Sequence, residues 1–254
     1  SIPSDRTRQV EHNNVYIYSE LHYHKILQLT LGVSADFYTR DERFQATLPD
    51  DSVAALSFNF ERNRVNPKAG ILWSPMRDTT VRLAAFRVIQ RSLPSNQTLE
   101  PTQVVGFNQF FDDAQGVAAW RYGVGVDQRF SLQLYGGAEL STRDLELFNP
   151  GGPNFRAPSW QELLGRAYLY WAPHPWWALS AEYHYERLNR ELNVLEGIER
   201  VTTHRVPLGF SFIHPSGLSF RLNPTFVHQE GIFIGPEVEG PGEDSFVVVG
   251  AGLS

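Results

Sequence analysis

"YLYWAPHPWWALSAEYHYE" (residues 168–186) is the most informative stretch of this chain for its fold class. Tyrosine and tryptophan occupy seven of its positions, on both sides of a Pro-His-Pro turn. From residue 177 to residue 185, the residues Trp, Leu, Ala, Tyr and Tyr alternate with Ala, Ser, Glu and His. A period of two places successive side chains on opposite faces of a β-strand. The stretch therefore predicts a β-hairpin that has one apolar and one polar face.

The same alternation recurs along the chain, for example in residues 27–37, 132–140 and 218–226. No segment shows a helical period over three turns, so we predict an all-β chain. The predicted strands have roughly 10–13 residues, which exceeds the usual ~5–6 and is enough to cross a bilayer. The pattern predicts about eleven long strands, at 14–23, 26–38, 65–74, 80–88, 118–128, 131–142, 161–172, 177–187, 203–213, 218–229 and 245–254, with a further short strand possible in 101–111.

Two kinds of connection alternate between these strands. Short, turn-like links are predicted at 23–25, 75–79, 128–131, 173–176 and 214–217. Long polar stretches are predicted to be loops at 39–64, 88–117, 143–159, 187–202 and 230–244. This regular alternation indicates an antiparallel up-and-down meander, the arrangement of outer-membrane β-barrels with short periplasmic turns and long extracellular loops.

Bulk composition excludes several classes of protein. The chain has 254 residues and a formal net charge of −6, and no basic patch indicates a nucleic-acid partner. It contains no cysteine, which excludes disulfides, thiolate metal sites and cysteine nucleophiles. The longest uncharged apolar run, near 246–253, is far too short for a transmembrane helix.

Two groups of residues are candidates for positions in a barrel wall. Aromatic residues near the short turns are predicted to form a girdle at the membrane interface: Trp73, Tyr168, Tyr170, Trp171, Trp176 and Trp177. Charged residues that alternate with apolar neighbours are predicted to face the lumen, because charge is costly in lipid: Arg82, Arg121, Asp127, Glu139, Glu162, Arg166, Glu182, Arg205 and Arg221.

Catalytic and metal-binding sites receive little support. His22 and His24 form an H-x-H pair, but no third ligand can be identified in the sequence. Asp36 and His228 both approach predicted loop ends, yet nothing brings them together as a catalytic pair. We therefore predict no enzyme activity, no metal site and no cofactor. A soluble β-sandwich or lipocalin-like barrel with an aromatic core remains an alternative.

The predicted strand number raises the question of closure. Eleven is odd, whereas bacterial single-chain barrels have even numbers of strands. The sequence also ends inside an apparent strand, and a sheet edge in lipid would leave backbone groups without partners. We therefore expect residues 1–254 to form a single barrel segment that belongs to a larger barrel.

Four segments carry a resemblance to a known family. "RVNPKAGILWSPMRDTTVRLAAFR" (64–87) resembles a hairpin of TonB-dependent receptor barrels, in which "NPK-G-x-W-x-P" precedes a turn and an alternating "T-x-R-x-A". "QTLEPTQVVGFNQFFDD" (97–113), "AWRYGVGVDQRFSLQLYGGAELSTRDLE" (119–146) and "HRVPLGFSFIHPSGLSFRLNPTFVHQEG" (204–231) are similar to a subgroup of these barrels that is often joined to tetratricopeptide repeats. The resemblance covers nearly the whole chain.

The resemblance implies a transport barrel in the outer membrane of a Gram-negative bacterium, moving a solute or polymer. Its implied partners are outer-membrane lipid and, in the same polypeptide, further barrel strands, a plug domain or tetratricopeptide repeats. The sequence lacks the family's plug domain, its TonB-contacting box and its closing strand, which puts energised import in question. An exopolysaccharide-export porin linked to periplasmic repeats and a soluble β-barrel binding protein remain alternative functions.

Overall fold

The structure is a computed structural model that describes residues 4–47, 53–90, 100–109, 113–147, 159–190, 197–234 and 239–253. All its regular elements within these ranges are strands, and no helix there is long and apolar enough to cross a membrane. The strands are β1 (Ser4–Tyr23), β2 (Leu27–Thr47), β3 (Val53–Met76), β4 (Thr79–Ile89), β5 (Gln103–Val104), β6 (Phe107–Asn108), β7 (Ala118–Arg129), β8 (Leu134–Glu146), β9 (Ser159–His174), β10 (Trp177–Arg190), β11 (Gly197–Ile213), β12 (Ser219–Ile234) and β13 (Glu239–Leu253).

Eleven of these strands form one antiparallel sheet in the order β1-β2-β3-β4-β7-β8-β9-β10-β11-β12-β13. Each strand pairs with its neighbour along the chain, and only the small β5–β6 hairpin interrupts this sequence between β4 and β7. The predicted all-β, up-and-down sheet of eleven long strands is therefore confirmed. Within the described residues, β1 and β13 each pair along one side only.

The predicted long loops are wrong over much of their length. Strands β2 and β3 remain paired out to Thr47↔Val53, so most of the predicted loop 39–64 is an extension of a hairpin. In the same way, β10, β11, β12 and β13 extend into the predicted loops 187–202 and 230–244. Residues 39–43 in the extension of β2 are polar on both faces, and backbone pairing needs no apolar alternation. For this reason a search for alternating hydrophobicity misses them.

Parts of the predicted loops lie outside the described residues. These parts are 48–52, 91–99, 110–112, 148–158, 191–196 and 235–238. The short turns agree with their predicted positions to within a few residues, at 24–26, 77–78, 130–133, 175–176 and 214–218. The short strand expected in 101–111 is the β5–β6 hairpin, whose strands have two residues each.

The two faces of the sheet have the opposite polarity to that of a water-soluble protein. On β2, the polar residues Thr30, Ser34 and Asp36 are buried, whereas Leu31 is 49% exposed and Phe37 is 50% exposed. The same inversion holds along the sheet, where exposed apolar residues include Val65, Ile71, Leu83, Val124, Leu140, Leu169, Leu208, Phe226 and Val247. A sheet with this distribution needs an apolar environment outside and a polar one inside.

The segment 100–109, which contains β5 and β6, packs against the polar face of the sheet. We call this segment the inner hairpin, the face that it contacts the inner face, and the opposite face the outer face. Val104 and Phe107 of the hairpin are fully buried and join a cluster of buried apolar residues. The other buried members of this cluster are Ala84, Phe86, Val88, Val117, Ala119 and Leu145.

Glycines in the eleven-stranded sheet make room for the inner hairpin. A Cβ atom at Gly123 would lie 2.6 Å from the Phe107 ring, and one at Gly70 would lie 2.8 Å from the Val104 side chain. Such distances are well inside van der Waals contact. The hairpin can therefore approach the sheet this closely only because these inner-face positions have no side chain.

Replacing Gly123 by alanine should destabilise the protein by about 1–3 kcal/mol, the usual cost of overpacking, because the added methyl group meets the Phe107 ring. A matched control is Gly252→Ala on β13, where a Cβ would have no described atom within 4 Å. Unfolding midpoints in denaturant would test this prediction. Equal midpoints for the two variants would show that the hairpin does not press on the wall at residue 123.

Candidate functional site

A buried ion pair anchors the inner hairpin to the sheet. Lys68 Nζ of β3 lies 2.9 Å from Glu100 Oε1, and both side chains are only 1% exposed. Tyr18 of β1 donates a hydrogen bond of 2.6 Å to the same carboxylate oxygen. Gln109 Nε2 donates to the Tyr18 hydroxyl at 3.1 Å and to the carbonyl oxygen of Pro101 at 2.8 Å. Both ends of the hairpin are therefore held by side chains of the wall.

A second polar cluster lies on the same face, around Asp36 of β2. Its carboxylate accepts hydrogen bonds from Asn14 at 2.8 Å, from Asn66 at 2.6 Å and from the Ser34 hydroxyl at 3.2 Å. His12 Nε2 lies 2.9 Å from the same group. Asp36 is 2% exposed, and a buried carboxylate is tolerated only when its oxygens have partners such as these.

Arginines connect the wall to the other side of the hairpin. Arg82 of β4 pairs with Asp127 at 2.7 Å and with Glu139 at 3.0 Å, and its guanidinium lies 5.2 Å from the centre of the Phe107 ring. The Arg121 guanidinium of β7 lies 5.5 Å from the centre of the same ring and donates to the carbonyl oxygen of Asn108 at 2.8 Å. Phe107 is thus held by two cations as well as by apolar contacts.

The charged network continues along the inner face beyond the hairpin. Arg143 of β8 pairs with Glu162 at 2.5 Å and also contacts Asp113. Arg166 of β9 pairs with Glu182 at 2.9 Å. The Glu182 carboxylate also accepts a hydrogen bond of 2.5 Å from Tyr170 and lies 2.9 Å from His184. On the next strand, Arg205 pairs with Glu186 at 2.9 Å. Charges of both signs therefore neutralise one another across neighbouring strands.

All nine charged residues singled out from the sequence lie on the inner face. Eight of them take part in the contacts described above, as partners of one another, of the hairpin or of neighbouring charges. The Arg221 side chain on β12 makes no hydrogen bond or ion pair with the described residues, although its backbone belongs to the ladder. Sequence reasoning missed Lys68, Glu100 and Arg143, although Lys68 alternates with Pro67 and Ala69 as the selected residues do with their neighbours.

The aromatic residues near the short turns divide between the two faces. Trp73, Trp171 and Trp177 point to the outer face, and Trp176 lies in the turn beside His214. Tyr168 and Tyr170 lie on the inner face, where Tyr168 donates a hydrogen bond to Asp127 and Tyr170 donates one to Glu182. The interfacial girdle of all six residues stays a prediction, but Tyr170 does not point outward with Trp171. The reason is elementary, because Tyr170 and Trp171 are consecutive in a strand and cannot share a face.

The histidines do not assemble a site. His24 lies in the β1–β2 turn with a φ of 52°, and its ring packs at 4.6 Å on Tyr23. Asp36 lies on the inner face of β2 and His228 on the outer face of β12, so the structure keeps them apart. In the part of the chain that the structure describes, no three His, Asp or Glu residues are grouped as metal ligands would be.

The arrangement of the sheet is similar to that of a known receptor. The ferric-catecholate import receptor Fiu from Escherichia coli K12, in its closed form, matches 98% of this chain with a TM-score of 0.68 and 14% sequence identity. The fold is similar to a TonB-dependent receptor barrel. The chain spans 38% of the length of that receptor. No family model and no curated protein matches the sequence.

Replacing Lys68 by methionine should lower the free energy of unfolding by about 3–5 kcal/mol, because the buried Glu100 carboxylate loses the cation 2.9 Å away. The double variant Lys68→Met/Glu100→Gln removes the stranded charge and should recover most of this loss. Denaturant unfolding followed by tryptophan fluorescence would measure both values.

A matched control comes from the exposed ion pair between Arg129 and Asp78, which are 3.9 Å apart. Arg129→Met should change the same free energy by less than about 1 kcal/mol, because exposed pairs contribute little. If the double variant at residues 68 and 100 were as unstable as Lys68→Met alone, the uncompensated charge could not be the cause.

Proposed function

We propose that this chain forms part of the wall of an outer-membrane transport barrel, with its outer face in lipid and its inner face lining the path of a polar solute. The main observation behind this proposal is that the sheet buries charged side chains and exposes apolar ones. In water such a sheet would be unstable. In a bilayer it is the expected arrangement of a barrel wall.

The charged residues support this orientation in energetic terms. An arginine on the lipid face costs about 2–4 kcal/mol near the bilayer midplane. Arg82, Arg121, Arg143 and Arg166 all lie on the inner face, where carboxylates or backbone oxygens meet their guanidinium groups. In our proposal these pairs line the lumen, together with the six other charged candidates Asp127, Glu139, Glu162, Glu182, Arg205 and Arg221.

The two sheet edges support a larger assembly. Strands β1 and β13 pair along one side within the described residues, and unpaired backbone groups in hydrocarbon each cost several kcal/mol. We propose that further strands of the same polypeptide pair with them in the outer membrane. The similarity to a receptor of which this chain spans 38% supports this proposal. In a polypeptide of such length, the remaining residues can also form a plug domain or repeats.

The inner hairpin gives the wall a specific part in transport. It lies against the inner face at the level of Gly70, Gly123 and Gly125, and it therefore takes up space within the lumen. Its contacts with Lys68, Tyr18 and Arg82 hold it in that position. In this proposal the hairpin narrows the path, and the paired charges around it offer hydrogen-bonding partners to a polar solute. The role is that of a transporter and involves no catalysis.

The membrane assignment predicts a simple biochemical behaviour. The protein should require detergent for extraction from the outer-membrane fraction, because its outer face is apolar over most of its width. Its mobility in gel electrophoresis should change on boiling, as a folded barrel wall opens into a chain. A monodisperse protein in buffer without detergent would contradict the assignment.

The transport role predicts an effect of the hairpin on permeation. Replacing residues 101–108 by a glycine-serine linker should raise the conductance of the protein in planar bilayers, because an obstacle is removed from the path. Replacing the turn 130–133 by the same type of linker serves as a control and should leave conductance unchanged. Equal conductance of all three proteins would show that the hairpin does not lie in the path.

A further inference from the structure

The outer face of β10 to β13 changes character at one level of the sheet. Between the short turns and this level, the outward residues on the four strands are apolar or aromatic. The last such row consists of Tyr183, Val206, Phe226 and Val247. The next row away from the short turns consists of Tyr185, His204, His228 and Ser245, which are direct neighbours in the ladder. The row after that consists of Arg187, Thr202, Glu230 and Glu243.

The distance along the strands places this change at a boundary. On β12 the apolar outward positions run from Phe220 to Phe226, about 20 Å at ~3.3 Å per residue. The apolar band of an outer-membrane barrel is about 25 Å tall and its strands are tilted. Four neighbouring strands lose their apolar outward residues together, which is the pattern expected where hydrocarbon gives way to lipid headgroups.

An open groove lies on the outer face at this boundary, with a volume of about 890 Å³. It is lined on its polar side by Arg187, Arg200, Thr202, His204, Glu230 and Glu243. The adjoining row is fixed by internal contacts. The Tyr183 hydroxyl lies 2.7 Å from His204 Nδ1, and the His228 Nδ1 lies 2.9 Å from the Ser245 hydroxyl. The first of these contacts orients His204, which lines the groove.

Two arginines in this groove lack partners. The Nε atom of Arg187 is buried and has no acceptor, and within the described residues neither Arg187 nor Arg200 forms an ion pair. Three arginines on the inner face, in contrast, each meet a carboxylate: Arg82, Arg143 and Arg205. Guanidinium groups are well suited to phosphate, because their planar N–H groups match two of its oxygens at once.

We propose that this groove binds the phosphate-bearing headgroup of a membrane lipid, with the lipid's acyl chains against the apolar rows below. Arg187 and Arg200 contact the phosphate, and Thr202 and His204 add hydrogen bonds at its edge. The bound lipid belongs to the leaflet that lies away from the short turns. The proposal rests on the membrane assignment above and is independent of what the lumen transports.

The test compares two double variants of the detergent-purified protein. Arg187→Gln/Arg200→Gln removes both cations of the groove. Arg77→Gln/Arg129→Gln removes two arginines at the short-turn end and serves as the matched control. Lipid binding is measured by native mass spectrometry, with phosphatidylglycerol and with diacylglycerol of the same acyl chains. Inorganic phosphate is tested as a competitor.

We expect the groove variant to bind phosphatidylglycerol about tenfold more weakly than the unmodified protein, because two charge-assisted contacts are lost. The control variant should stay within about twofold of the unmodified protein, as expected for exposed charges. Diacylglycerol should bind all three proteins alike, since it lacks the phosphate. Arg187→Lys/Arg200→Lys should give intermediate affinity, because lysine keeps the charge but cannot form the paired hydrogen bonds.

Three results would overturn the proposal. The first is unchanged phosphatidylglycerol binding by a groove variant that still shows the gel shift of the folded protein. The second is an equal loss of binding in both double variants, which would indicate general attraction to charge. The third is full competition by millimolar phosphate, which would make the groove an anion site without a lipid. A failure of the membrane assignment looks different, because then none of the proteins would bind either lipid.

Discussion

The register of the antiparallel ladder is the constraint on which every other feature of this chain depends. Ten strand pairs place each residue opposite a defined partner, and a slip of one residue would turn a whole strand over. Lys68 would then lie in the apolar environment and Ala69 against Glu100. The paired charges of the inner face exist because the register brings Arg82 beside Asp127 and Arg166 beside Glu182. Register and charge placement therefore support each other.

The interior of this wall is stabilised differently from that of a soluble domain. Its large buried side chains include Tyr38, Asn66 and Asp36 as well as Phe86 and Phe107. Buried ion pairs add little net stability when they are complete, but they are costly when broken. A wall of this kind gains most of its driving force from the apolar outer face and from backbone pairing. The charges on its inner face mainly select the strand register in which each charge meets its partner.

Much of the fold followed from the sequence because a period of two is a strong signal wherever one face is apolar. This signal was sufficient for the eleven strands, the short turns and the face of Arg82 or Glu182. It failed where both faces are polar, as at residues 39–43 of β2, since backbone hydrogen bonding leaves no mark on composition. It also could not show that residues 100–109 turn inward, because that depends on Gly70 and Gly123 in distant strands. Aromatic type alone also could not show that Tyr168 and Tyr170 lie on the inner face, which depends on their position in the alternation.

The buried apolar cluster beneath the inner hairpin has a consequence for how the chain folds. Its members come from one continuous stretch of chain, from Ala84 on β4 to Leu145 on β8. Within the described residues this is the cluster that excludes water without help from lipid. These contacts close shorter loops than pairings between the two ends of the chain would, so they cost less chain entropy. We expect this stretch to collapse first and to serve as the template on which the more distant strands then pair.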